Sequence, residues 1–164
     1  MHSNHRLKFF LFNYYAIFSV VAGIATFVVF LLFQLPWAIL LAIEGGIISF
    51  TFAVQKQRLE EVRLFKELFK EFNERYDKQN DDLNCIYSQP SEKPLSSDET
   101  KILFNYFNLC GEEYLYFKRG FIYPEVWHAW KNGMTYFRKS LRIKKLWDED
   151  LEAGSYYGLS FDEL

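Results

Sequence analysis

The stretch that decides the fold of this chain is residues 9–54, FFLFNYYAIFSVVAGIATFVVFLLFQLPWAILLAIEGGIISFTFAV, which contains a single charged side chain, Glu44. A helix needs about 20 apolar residues to cross about 30 Å of hydrocarbon. Residues 13–33 and 36–54 each supply a run of that kind, and two residues remain between them. We therefore predict a transmembrane hairpin of two antiparallel helices over residues 1–54, embedded in a lipid bilayer.

A cleaved signal peptide, or two core helices of a soluble protein, would also be apolar. A signal peptide has one short apolar stretch followed by a small-residue cleavage site, whereas here a second apolar run follows directly. A soluble domain in a chain of 164 residues has little material with which to surround two wholly apolar helices. A helical hairpin satisfies its backbone groups internally and is therefore stable in lipid. The pattern favours the membrane hairpin.

The charges that flank the two spans predict how the hairpin is oriented. Arg6 and Lys8 precede the first span, Lys56 and Arg58 follow the second, and the connecting turn has no charge. Because Lys and Arg resist translocation, both termini are expected on the cytoplasmic side. In a bacterium this places a multi-pass protein in the inner membrane. Its two cysteines, Cys85 and Cys110, would then face a reducing compartment and need not pair.

Glu44 is the most informative residue of the membrane segment because it lies near the middle of the second span. A charged side chain there costs about 2.5–3.5 kcal/mol on insertion scales, and such residues usually face a bundle interior or water. Small residues, which allow close helix packing, follow it at Gly45 and Gly46 and recur on the first span at Ser19 and Gly23. These five residues are the candidates for function in the membrane.

Two interpretations of Glu44 stay open at this point. In the first, Glu44 is protonated and hydrogen-bonds to a serine or threonine within a quiet helix pair. In the second, the protein is a homo-oligomer, and copies of Glu44 from several chains line a polar pathway between the chains that can open. Both are compatible with an intramembrane carboxylate beside small residues.

Residues 55–87 contain no glycine or proline and are rich in Glu, Lys, Arg, Leu and Gln, so we predict one amphipathic stalk helix that continues out of the second span. Its apolar residues recur with three- and four-residue spacing, at Val62, Phe65, Phe69, Phe72, Tyr76 and Leu83. Such spacing is typical of coiled coils and also of amphipathic helices in globular domains. The pattern is therefore compatible with a stalk that associates with other copies and with one that packs on the rest of its own chain.

A polar linker with two prolines occupies residues 88–95 and separates the stalk from a cytoplasmic helical domain at 96–164. Ser96 and Glu99 form a capping box that predicts a helix through about Lys118. Gly120 ends that helix, and Pro124 begins the next in the first-turn position that proline favours. A third helix is expected over roughly 143–152. The chain is thus predicted to be all-α, with a small helical bundle after the stalk.

The sequence contains no nucleophile elbow, phosphate-binding loop or zinc-ligand spacing. His128 stands among aromatic residues with no base or nucleophile beside it, and Glu112 and Glu113 point in different directions because they are adjacent on a helix. We therefore expect no enzyme, no cofactor and no metal.

Binding to a partner is the more plausible role of the C-terminal domain. It is rich in aromatic residues, among which Trp127 and Trp130 are candidates for a docking face. The basic residues Arg138, Lys139 and Arg142, continued by Lys144 and Lys145, form a strip that could meet lipid phosphates or nucleic acid. Over residues 95–164 there are 9 basic and 11 acidic residues, so direct sequence-specific binding of nucleic acid is not expected.

The order of the segments resembles a known family. A two-span hairpin is followed by FNERYDKQNDDLN (72–84), LFNYFNLCGEEYLYFKRGFIYPEVWHAW (103–130), LWDEDL (146–151) and GSYYG (154–158). In this arrangement the chain looks like the two-transmembrane effector, or toxin, of bacterial retrons, which are anti-phage systems built around a reverse transcriptase and its RNA–DNA product. The resemblance covers nearly the full length but includes no catalytic motif.

The resemblance implies an effector of abortive infection. In that family the membrane protein is held inactive in a complex with the reverse transcriptase and its RNA–DNA product, and its release damages the inner membrane and kills the infected cell. The alternative is a membrane-anchored adaptor, whose helical domain recruits a cytoplasmic protein while the hairpin acts as an anchor. A signal transducer is a third hypothesis, but the short turn between the spans offers little to sense.

Overall fold

The computed structural model describes the backbone of residues 2–161 and the side chains of residue 12 and residues 14–161. Within that range the chain is all-helical, with five α-helices, one short 3-10 helix and no strand. The helices are α1 (His2–Phe33), α2 (Trp37–Tyr87), α3 (Ser97–Lys118), α4 (Pro124–Phe137) and α5 (Leu141–Glu152), followed by the 3-10 turn Tyr156–Gly158. The predicted all-α class is therefore confirmed.

The chain separates into two compact units, one ending at Arg63 and the other beginning at Leu64. Helix α2 has 51 residues, continues beyond the second apolar run and contributes to both units. In the first unit, Gln34 takes the left-handed conformation, with φ 49°, at the turn between α1 and α2. By length and composition, two helices could cross a membrane: the Tyr14–Phe33 part of α1, and α2.

The second unit has one aromatic-rich core to which the latter part of α2 contributes directly. Leu68, Phe72, Leu83 and Ile86 of that helix are buried together with side chains of α3, α4 and α5. The face of the predicted stalk from Leu64 onwards therefore packs on its own chain, which was one of the two alternatives that the spacing left open. This segment belongs to the same compact unit as the C-terminal helices and is not a separate element.

Local signals determine where the C-terminal helices begin and end. The Ser96 hydroxyl accepts a hydrogen bond from the Glu99 backbone N–H, and the Glu99 carboxylate accepts one from the Ser96 backbone N–H, which completes the capping box. Gly120 is left-handed, with φ 84°, directly after Arg119, the C-cap residue of α3. Helix α5 begins at Leu141, two residues before the predicted start, because Ser140 already takes an extended N-cap conformation and its carbonyl accepts the Lys144 N–H.

Candidate functional site in the helix pair and the C-terminal unit

The candidate site in the first unit is a polar seam between α1 and α2, formed by Gly23, Ser19, Glu44 and Thr51. Glu44 is half-buried, and its carboxylate lies over Gly23 of α1. A methyl group added at Gly23 would stand 3.2 Å from Glu44 Oε2, which is closer than an ordinary van der Waals contact. The absence of a side chain at Gly23 therefore makes room for the Glu44 carboxylate within the same chain.

A hydroxyl contact continues the polar seam. The Thr51 hydroxyl lies 2.6 Å from the Ser19 hydroxyl, and the Ser19 hydroxyl donates to the Tyr15 carbonyl at 2.8 Å. The Thr51 hydroxyl is also 2.7 Å from the Ile47 carbonyl of its own helix. Contacts of this kind join helices in an apolar environment, where each is worth about 0.6–2 kcal/mol.

The third contact between the two helices lies beyond the polar seam. Arg58 donates from Nη1 to the Phe12 carbonyl at 2.9 Å. Glu44, Thr51 and Arg58 are spaced by seven residues, which is close to two turns of helix, so they share one face of α2. Their partners on α1 run in the reverse order along the chain, so the two helices are antiparallel where they meet.

The sequence grouped Gly45 and Gly46 with Ser19 and Gly23 as small-residue candidates, and the structure places the two pairs differently. Ser19 and Gly23 contact α2 of the same chain. Gly45 and Gly46 are exposed, and a methyl group added to either would meet nothing within 4 Å. The polar seam thus uses one pair within the chain and leaves the glycine pair outward-facing.

The two tryptophan candidates lie in different surroundings in the second unit. Trp127 is 5% exposed and stacks on Phe117, with ring centroids 5.0 Å apart and an 11° interplanar angle. It is a core residue rather than part of an exposed docking face. Trp130 is half-buried and contacts Phe69 and Phe72, at centroid distances of 6.0 and 5.7 Å.

The basic strip is also divided by the fold. The Arg142 side chain is 3% exposed. It donates to the Ile86 carbonyl at the C-terminal end of α2, to the Pro94 carbonyl in the linker and to the Glu99 carboxylate in the first turn of α3. Arg142 therefore connects α5 to these three segments. Arg138 pairs with Asp148 at 2.5 Å. Of the three basic candidates only Lys139 is exposed, so they do not form one continuous surface.

The helical spacing of residues 102–117 placed Glu113 on the inward face of α3 but did not mark it as a candidate site residue. Glu113 is 5% exposed, and burial raises its pKa to about 8, although the nearby Arg75 opposes that shift. Arg75 itself forms a two-point ion pair with Glu112, the residue that precedes Glu113. Its Nη1 lies 2.5 Å and its Nη2 3.1 Å from the two carboxylate oxygens. The adjacent glutamates therefore have opposite environments, as expected for neighbours on a helix, and burial singles out Glu113 as a titratable core group.

The described part of the chain contains no cluster of three or more His, Cys, Asp or Glu side chains arranged to hold a metal ion. Comparison of the chain with protein-family models, with curated proteins and with solved structures finds no significant match.

Proposed function

We propose that this chain is a membrane-embedded effector of a bacterial retron anti-phage system, which disrupts the inner membrane and kills the infected cell when it is released from inhibition. The observation that carries the membrane part of this proposal is the polar seam, in which Glu44 lies against Gly23 between two apolar helices. The retron context is supported by the resemblance of the segments described above.

A bilayer is the solvent that best suits the first unit. Large apolar side chains stay exposed along both helices, among them Leu32 at 73%, Leu41 at 69% and Phe52 at 68%. Soluble proteins rarely expose contiguous apolar patches beyond a few hundred Å². Only 6% of the apolar segment of each helix is buried, which argues against a pair of core helices in a soluble domain. The helices are therefore proposed to cross the membrane as a hairpin, with lipid around them.

The orientation proposed for the hairpin has both termini in the cytoplasm. The turn at residues 34–36 is uncharged, and the basic residues cluster at the opposite ends of the two spans. Arg58 also binds the Phe12 carbonyl there, which keeps the guanidinium group near the end of the apolar stretch. A long basic side chain at that level can remain in the polar interface.

The proposed mechanism begins with Glu44 sheltered in the polar seam. Among described residues it has no hydrogen-bonding or ionic partner, and an unpaired carboxyl group in hydrocarbon is costly. When several copies associate, the carboxyl groups would gain by leaving Gly23 and meeting one another around water. Outward-facing Gly45 and Gly46 would allow the close approach of helices that such an assembly needs. Ions would then cross beside Glu44.

Induced expression in bacteria tests this proposal, with membrane potential and propidium entry followed together. Wild-type protein is expected to depolarise the cells and admit the dye, and Glu44→Gln is expected to weaken both effects at equal membrane insertion. Glu60→Gln makes the same chemical change at an exposed position outside the apolar stretch and should behave as wild type. Equal depolarisation by all three would exclude a role for Glu44, and intact membranes would argue against the effector itself.

The adaptor remains the second candidate, because the latter part of α2 and the C-terminal helices form a compact unit with its own core. In this case the hairpin would serve only as an anchor. Replacing residues 1–54 by an unrelated two-span hairpin distinguishes the two candidates. An effector that acts through the polar seam loses activity on this exchange, whereas an adaptor keeps it.

A further inference from the structure

A segment after α5 crosses the surface of α3 and is held there by an unusually close contact. This closing strap, residues 153–161, includes the 3-10 turn Tyr156–Gly158. A methyl group added at Gly111 of α3 would stand 2.9 Å from Tyr156 Cβ and 3.1 Å from its Cα. Real side chains do not tolerate such distances, so only glycine at position 111 allows the closing strap to dock as it does.

The side chains of the closing strap fit into the unit at three successive points. The Tyr156 hydroxyl donates to the Asp150 carboxylate, and its ring meets Phe107 edge-on. Leu159 is 4% exposed. Phe161 packs edge-on against Trp147, at a centroid distance of 5.1 Å, and lies 4.2 Å from the Arg138 guanidinium carbon. The closing strap therefore docks on α3 and α5 through the pattern Tyr-x-x-Leu-x-Phe.

The backbone of the closing strap is strained where it docks. Tyr156 and Tyr157 are both left-handed, with φ of 64° and 60°. This conformation is unfavourable for residues with a Cβ, and two such residues in succession are rarer still. Gly154 and Gly158, also at positive φ, flank them without that penalty. The docked form thus stores backbone strain that the contacts at Gly111, Asp150 and Trp147 must offset.

Beneath the closing strap lies an aromatic groove that would be exposed if the strap left. Phe107 and Trp147 are fully buried and stack on each other, with centroids 4.4 Å apart at 15°. Among the residues that the structure describes, the Trp147 indole Nε1 has no hydrogen-bonding partner. The strap also forms one wall of an open cleft of about 580 Å³ with Phe104 and Asn108 of α3. Solvent therefore already reaches one side of the docked strap.

We propose that residues 153–161 are a releasable strap, and that the groove on α3 and α5 beneath them is a peptide-binding site for the pattern Tyr-x-x-Leu-x-Phe. The closing strap is the ligand of this groove within the chain. Its strained turn makes it the element that opens first, while the core of α2, α3, α4 and α5 stays folded. The proposal stands independently of the membrane function.

Hydrogen exchange of the full chain in detergent micelles tests the release. Gly111→Ala is expected to speed exchange in residues 154–161 by about tenfold or more, as overpacking does, with little change in α4. Gly133→Ala, whose added methyl would meet nothing within 4 Å, makes the same change in α4 and should leave the strap protected. Asp150→Ala removes only the acceptor of the Tyr156 hydroxyl and should also speed exchange of the strap.

Unchanged exchange of the strap in both Gly111→Ala and Asp150→Ala would overturn the proposal. Loss of protection throughout the unit in Asp150→Ala would also overturn it, since the strap would then be an inseparable part of the core.

A peptide of residues 153–161 tests the groove itself. Leu159→Ala combined with Phe161→Ala, in the full chain, weakens the strap but leaves every groove residue in place. The added peptide is expected to restore protection of residues 103–113, whereas a scrambled peptide of the same composition is not. If the native peptide restores nothing, the groove is not a peptide-binding site.

Discussion

At the scale of single residues, the fit of Glu44 against Gly23 explains why this pair occurs together. A carboxyl group needs space to lie between two closely packed helices, and a glycine on the facing helix supplies that space. The arrangement was only partly predictable. The position of Glu44 predicted a buried or interhelical carboxyl group, but the choice of Gly23 as its neighbour depends on the rotation of both helices. The small residues Ser19 and Gly23 indicated which face of the first span packs closely, but not which residue of the second span lies opposite each of them.

Gly23→Ala is predicted to displace the Glu44 side chain, because the added methyl would stand 3.2 Å from Oε2. Under the proposed mechanism this raises membrane leakage and toxicity at equal expression. Gly133→Ala makes the same change in α4, outside the helix pair, where the added methyl meets no described atom within 4 Å, and this matched control should leave toxicity unchanged. Growth after induction and dye entry measure the effect. Reduced toxicity in Gly23→Ala, comparable to that of Glu44→Gln, would show that Glu44 acts from within the polar seam instead.

Glu113 predicts how the stability of the second unit depends on pH. Its pKa is raised from 4.5 to about 8 by burial, so between those values the folded state holds a proton that the unfolded state has lost. Stability is therefore full below about pH 4.5 and falls as the pH rises towards 8, by a few kcal/mol at most. Urea unfolding at pH 5 and pH 8 measures the loss, and Glu113→Gln should abolish most of it. An equal loss in both proteins would place the titrating group elsewhere.

At the scale of elements, α2 shows where sequence patterns stop being informative. The bounds of α3 and the start of α4 could be predicted because the signals there act locally. These signals are the capping box at Ser96, the glycine at position 120 and the proline at position 124. The three- and four-residue spacing on α2 could not identify the packing partner, because another copy and the chain's own C-terminal helices require the same apolar stripe. Likewise, the sequence pattern placed Arg142 in a surface strip. In the fold it is buried, because the Ile86 and Pro94 carbonyls and the Glu99 carboxylate surround its guanidinium group.

The packing of α2 on its own chain is tested by two phenylalanines of the same helix. Phe72 is 1% exposed in the core, whereas Phe69 is 40% exposed. Phe72→Ala is expected to cost about 3–5 kcal/mol of unfolding free energy, the range for buried phenylalanine, and Phe69→Ala distinctly less. Urea unfolding followed by circular dichroism gives both values. If Phe69→Ala is the costlier change and also dissociates an oligomer, α2 is a self-associating stalk.

At the scale of the whole molecule, the proposed orientation makes a prediction for thiol labelling. Cys85 is exposed and Cys110 is buried, so native labelling should report mainly on Cys85. In intact cells a membrane-impermeant maleimide is expected to miss Cys85 and to label Leu35→Cys, introduced at the turn in a Cys85→Ser background. Permeabilised cells should show labelling of both. Labelling of Cys85 in intact cells would show either that the orientation is the reverse of the proposed one or that the chain does not lie in the membrane.

The proposed function requires that the chain by itself makes a bilayer permeable through Glu44. The most direct measurement is dye release from sealed lipid vesicles that contain purified, inserted protein, with wild type, Glu44→Gln and Glu60→Gln compared at equal protein-to-lipid ratio. Rapid release is expected with wild type and Glu60→Gln, and markedly slower release with Glu44→Gln. Vesicles that stay sealed with fully inserted wild-type protein, or release that is equal in all three, would contradict the proposed function.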